Sequence, residues 1–128
     1  MATPIDSSEE LFNDNAVKVV LDEEGMALYF SRAPIPWVRG VFKPGEVPTE
    51  LPAEQTFLRH IGMYAYRAGV LEGMASNPQT STETAESLEQ LRAMGMGIGI
   101  HVSVIGQAPP PGVDTQEDLD NACRYFSE

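Results

Sequence analysis

Two runs of β-branched and aromatic residues, 17–21 and 26–31, flank the tetrad Asp-Glu-Glu-Gly, a spacing that predicts a β-hairpin turned at Gly25. Upstream, residues 1–16 are polar and acidic, and Ser7, Ser8, Glu9 and Glu10 predict no more than a short capped helical turn. Five of the ten prolines fall between Pro34 and Pro52 without apolar periodicity, so 33–56 reads as a loop or insertion running over the surface. Residues 60–66 alternate Ile61, Met63 and Ala65 with Gly62, Tyr64 and Tyr66, predicting a strand that runs into a helix near 70–75. Thr80 and Glu83 have the spacing of a capping box, and Ala85, Leu88, Leu91 and Met94 then form the apolar stripe of one helix over 83–94, ended by Gly95, Gly97 and Gly99. Ile100, Val102 and Val104 predict a strand over 100–105. A Pro-rich turn at 109–112 leads to a last helix capped by Thr115 and Asp118, with Leu119, Ala122, Cys123 and Phe126 as its stripe.

These elements predict an α/β fold in which helices pack on a small mixed sheet. The strand, helix, strand series permits parallel pairing, and the hairpin adds an antiparallel part. The whole of 1–128 reads as one partial domain whose strands extend a sheet beginning upstream, because standing alone they would leave an open edge.

Nineteen acidic against eight basic side chains give a net charge of −11, which repels phosphate backbones and anionic lipid surfaces and argues against nucleic-acid and membrane partners. An anionic small molecule would need a local cation cluster or a metal ion, and only six Arg and two Lys are available. A single cysteine, Cys123, forms no internal disulfide and lies on an apolar stripe, so it reads as a small core residue in a reducing compartment. The first residues carry neither a basic n-region nor an apolar stretch, and a cytoplasmic location is the expectation.

On spacing alone, the candidate chemistry has bland readings beside the functional ones. His60 beside Arg59 could present an imidazole and a guanidinium to an anion, yet a lone His is commonly structural. Tyr64 and Tyr66 suit strand packing. Glu89 and Gln90 flank the apolar stripe, where polar side chains are ordinarily solvated. Arg32 opens the Pro-rich loop, and Asp114, between a Pro-Pro-Pro-Gly turn and a helix start, suits either a helix cap or a metal ligand. No glycine-rich or Arg/Lys-rich loop between a strand and a helix is present to cradle a triphosphate.

Taken together and in order, AVKVVLDEEGMALYFSRAPIPW, RHIGMYAYRAGVL, ESLEQLRAMGMGIGIHVSVI and PPPGVDTQEDLDNA resemble the C-terminal half of the CMP-KDO synthetases, the 3-deoxy-manno-octulosonate cytidylyltransferases. The resemblance implies the C-terminal part of a Rossmann-like nucleotidyltransferase fold. It also implies a cytoplasmic, homodimeric enzyme of lipopolysaccharide synthesis that joins CTP and KDO, with magnesium, to give CMP-KDO and pyrophosphate. By position it assigns His60, Tyr64, Glu89 and Gln90 to the sugar-acid pocket, Arg32 to its rim and Asp114 to a magnesium ion. The nucleotide motif of the family's first half, resembling IPARxxSxRxPGKPL, and a second metal-binding Asp have no counterpart here, so the chain by itself is expected to be inactive. Thr82, Gly99 and Asp14 depart from a usual leucine, basic residue and proline. Two other readings stand beside this one: a non-catalytic module for oligomerisation or sugar-acid binding, and a cytidylyltransferase for another sugar acid such as sialic acid.

Overall fold

The computed structural model describes residues 1–106, 119, 123 and 124. Its sheet has four strands, β1 (Ala2–Pro4), β2 (Lys18–Leu21), β3 (Ala27–Ser31) and β4 (Leu58–His60), in the spatial order β1-β4-β2-β3. Neighbours are antiparallel throughout, with Ala2 opposite His60, Lys18 opposite Arg59 and Lys18 opposite Ser31. The hairpin forms as its spacing predicts. The Asp22 carboxylate accepts the amides of Glu24 at 2.9 Å and Met26 at 2.8 Å, and Gly25 takes φ +80°, a conformation a Cβ would disfavour.

Residues 60–66 do not continue as a strand. The Met63 amide turns back onto the Ile61 carbonyl at 2.7 Å, a three-residue turn that ends the ladder at His60. Period-two alternation is necessary for a half-buried strand but supplies no pairing partner. The same lesson applies to 100–105, which joins the sheet only through isolated bridges: a parallel one between Ala2 and Val104 and an antiparallel one between Met26 and His101. The expected parallel pairing is thus reduced to a single bridge, while β1 itself has no apolar periodicity to announce it.

Within residues 1–106 the helices are α1 (Ser8–Phe12), α2 (Ala68–Ser76), α3 (Ser81–Glu86) and α4 (Gln90–Gly95). The helix expected over 83–94 is therefore two, broken at Ser87, whose φ of 54° and ψ of 48° are left-handed. The cause is legible in the stripe. Spacings of three residues drift by about 60° per step on a helix of 3.6 residues per turn, so one continuous helix could not turn Ala85, Leu88, Leu91 and Met94 to one side. With the break, Leu88 and Leu91 are buried and Ala85 is exposed, while Glu83, capped by Thr80 as predicted, takes the inward position.

The sheet and α4 enclose one core of Ala2, Val19, Phe30, Leu88, Leu91 and Val102. Ile5, Leu11, Phe42 and Phe57 make a second. The Pro-rich segment 33–56 has no helix or strand, as expected, but it does not merely run over the surface. Phe42 is buried, edge-on to Phe12 and Trp37 and stacked on Phe57 at 5.8 Å. At the other end of the chain Leu119 and Cys123 are exposed, which corrects the expectation of a core cysteine. An apolar stripe shows which side of a helix is apolar, not whether a surface lies opposite it. No helix among the described residues is long and apolar enough to cross a membrane.

Candidate functional site

His60 ends β4 with its ring over the buried Phe30, 5.1 Å between centroids and nearly perpendicular. Because the chain turns at 61–63, Tyr64 folds back and its hydroxyl meets His60 Nε2 at 2.7 Å. Tyr66 stacks on Tyr64 at 5.4 Å. The three rings form one wall of a cleft of about 830 Å³, completed by Arg67 and Val70 on one side and by 98–103, including His101 and Ser103, on the other. Burial is the largest influence on these groups. It lowers the His60 pKa to about 4, with the nearby N-terminal ammonium acting in the same direction, and it raises Tyr64 and Tyr66, the latter further because of the Glu89 carboxylate. At neutral pH the pair is therefore an uncharged imidazole and an uncharged phenol, a hydrogen-bonding wall and not a cationic one.

This has a measurable consequence. The unfolded state binds more protons than the folded one between pH 4 and 6.5, so His60 contributes stability that is lost as pH falls from about 6.5 toward 4. Urea midpoints measured from pH 7 to 4.5 should fall, and His60→Gln should flatten that part of the curve. An imidazole titration midpoint near 6.5 by NMR would contradict the burial argument.

Arg59 does not join His60. Adjacent strand residues face opposite sides of a sheet, and Arg59 instead pairs with Glu10 at 2.8 Å. Arg32 lies outside the cleft as well: its Nε donates to the Glu86 carbonyl at 2.7 Å and its Nη1 to the Asp14 carbonyl at 2.9 Å. Beside it the Glu86 carboxylate accepts the Ser31 hydroxyl at 2.6 Å and the Arg32 amide at 2.9 Å, which ties the end of α3 to the end of β3. Glu89 and Gln90 do not line the cleft: exposed Glu89 stands at the N-cap position of α4 with no side-chain capping bond, and Gln90 opens that helix, buried to 6% with its amide nitrogen lacking a hydrogen-bond partner. A buried amide without a partner carries a desolvation cost that an acceptor from a bound molecule would remove.

Asp114 lies outside the described residues. Among those residues no group of three or more His, Cys, Asp or Glu is gathered as a metal site would need if protein ligands alone held the ion. The sequence reading missed Glu86, Arg67 and the 98–103 wall. All three lay inside strings that carried the resemblance, Arg67 in RHIGMYAYRAGVL and Glu86 and 98–103 in ESLEQLRAMGMGIGIHVSVI, but spacing gave none of them a role.

The sheet with its flanking helices has the α/β architecture of part of a nucleotidyltransferase fold, as a solved structure superposing at a TM-score of 0.83 shows. A profile of the cytidylyltransferase family matches residues 1–100, and the chain belongs to that family. It is 53% identical over 120 residues to the 3-deoxy-manno-octulosonate cytidylyltransferase of Vibrio vulnificus, a match covering 94% of this chain and 46% of the relative. With the protein of the same name from Hahella chejuensis it shares 56% over 115 residues, covering 90% and 44%. The solved structure of CMP:2-keto-3-deoxy-manno-octonic acid synthetase complexed with CTP superposes with a TM-score of 0.83 at 37% identity, covering 98% of this chain and 47% of that one. The chain spans about half the length of the curated relatives it matches.

Proposed function

We propose that the chain forms the sugar-acid side of a 3-deoxy-manno-octulosonate cytidylyltransferase, which converts CTP and KDO to CMP-KDO and pyrophosphate for lipopolysaccharide synthesis. The observation that carries this reading is the His60–Tyr64 pair at 2.7 Å in a cleft of about 830 Å³, on a chain more than half identical to proteins of that name. Hydroxyl-rich sugars suit neutral donors and acceptors, which His60 and Tyr64 supply in the cleft, while Glu89 and Gln90 enter this reading through the resemblance. In this reading these side chains hold KDO so that its anomeric hydroxyl attacks the α-phosphorus of CTP in line and pyrophosphate leaves. Their contribution is positioning, which can supply a large part of such a barrier. Arg32, held by two carbonyls, would serve the rim by ordering the turn into the Pro-rich segment. Magnesium, assigned to Asp114 by the resemblance alone, would neutralise phosphate charge when bound. A homodimer and a cytoplasmic location belong to the same proposal.

The test is a chimera in which this chain replaces the matching half of the Vibrio vulnificus relative, assayed for pyrophosphate release with CTP, KDO and magnesium. Turnover on the order of 1 per second is expected of the chimera and none of the chain alone. His60→Ala and Gln90→Ala should each raise the KM for KDO by about tenfold or more, as expected for a lost buried hydrogen bond. A folded chimera that ignores KDO, or in which neither substitution changes that KM, would overturn the reading.

A further inference from the structure

The residues assigned to the sugar-acid site come from two separate segments. Tyr64 and Tyr66 lead directly into α2, and Glu89 and Gln90 lead directly into α4. Between them stands the left-handed break at Ser87. A non-glycine residue in that conformation costs about 1 kcal/mol or more and persists only where its surroundings impose it.

One guanidinium bridges the break. Arg92, on α4, donates from Nε to Glu83 Oε2 at 2.9 Å and from Nη2 to Glu83 Oε1 at 2.5 Å, a two-pronged pair that spans the break to α3. Its remaining nitrogen, Nη1, donates to the Met74 carbonyl of α2 at 2.8 Å. Arg92 thus touches all three helices and joins both segments. Glu83 is buried to 2% and has its other obligations met within the capping box with Thr80, so neither partner can swing away without leaving a buried charge or a buried carbonyl unpaired. Leu88 and Leu91 anchor the break in the core but are apolar and indifferent to small rotations. The planar fork, which matches a carboxylate in one geometry, sets the angle between α3 and α4.

We propose that Arg92, braced by Glu83, is a positioning residue: it fixes α4 relative to α2 so that Gln90 and Glu89 stand in register with the Tyr64–Tyr66 wall. The proposal rests on the sugar-acid reading of the site. The cleft gives it a handle, because Ala93, next to Arg92 on α4, lines the cleft together with Tyr64 and Tyr66.

Arg92→Lys and Arg92→Met in the active chimera separate positioning from mere stability. Lysine keeps the charge and stem but not the fork. Methionine keeps only the stem. Assayed well below each variant's melting temperature, Arg92→Met should raise the KM for KDO by about tenfold or more with kcat within about threefold and the KM for CTP unchanged, and Arg92→Lys should fall between it and the parent. If the methionine variant does not fold, the lysine variant decides alone, a KDO-specific rise of about threefold or more being required. The proposal is overturned if the KM for KDO stays within twofold in the folded variants, or if the KM values for CTP and KDO rise in step. His60→Ala and Gln90→Ala keep the two claims apart. Should they leave KDO binding unchanged, the site reading fails, whereas a response from them but none from Arg92 sinks only the positioning role.

Discussion

Lys18→Met should destabilise the chain by on the order of 4 kcal/mol, a large share of the roughly 5–15 kcal/mol that an ordinary domain has. Lys18 is fully buried, yet its ammonium donates to the carbonyls of Asn13 at 2.7 Å, Ala16 at 2.5 Å and Arg32. Three acceptors require three N–H donors, which only the protonated amine has. Burial pulls its pKa below the ordinary value, and the Asp14 and Glu86 carboxylates oppose that pull. Methionine fills the same space but leaves three carbonyls unanswered, at about 1–3 kcal/mol each before relaxation. The urea midpoint, or loss of soluble protein, measures the effect. A midpoint within about 0.5 M of the parent, where a change of 4 kcal/mol would move it by roughly 1.5 M or more, would show that these carbonyls find water instead.

Asp114→Asn in the active chimera should lower turnover by about a hundredfold or more while leaving stability nearly unchanged. Asparagine keeps the shape and the capping oxygen of aspartate but not the charge that would hold magnesium, and excess magnesium should restore part of the rate. A purely structural cap predicts the opposite: Asp114→Ala would lose about 1 kcal/mol of stability with chemistry nearly intact. Melting temperature and magnesium-dependent rate, measured for both substitutions, separate the readings. Normal turnover and normal magnesium dependence in Asp114→Asn would end the metal-ligand assignment.

The hairpin, the helix after Arg67 and the Thr80–Glu83 capping box were legible because each depends on residues close in sequence: Asp22 and Gly25 shape one turn, and a cap reaches only three residues. The ring cluster of the site was half legible. HIGMYAYRAG draws attention to His60 and Tyr64, but period-two counting sent them along a strand, whereas a backbone turn at 61–63 brings them into contact. Arg59 looked like the natural partner of His60 and proved to belong to the opposite face. Stripe counting found Leu88 and Leu91 but placed Ala85 with them, because the three-residue spacing concealed a break instead of marking a helix.

Local chemistry, read from the chain alone, determined where the hairpin turn and the Thr80 cap fall and which family the motifs resemble. Only the tertiary structure decided what the polar residues in apolar surroundings are for. Glu86 and Arg92 look like solvent-facing charges in sequence, since the residues nearest them in the chain offer them no partners. Their partners are brought up by other elements, the Met74 carbonyl accepting from Arg92 and the Ser31 hydroxyl donating to Glu86, and a buried charge is tolerable only once such groups have been assembled around it.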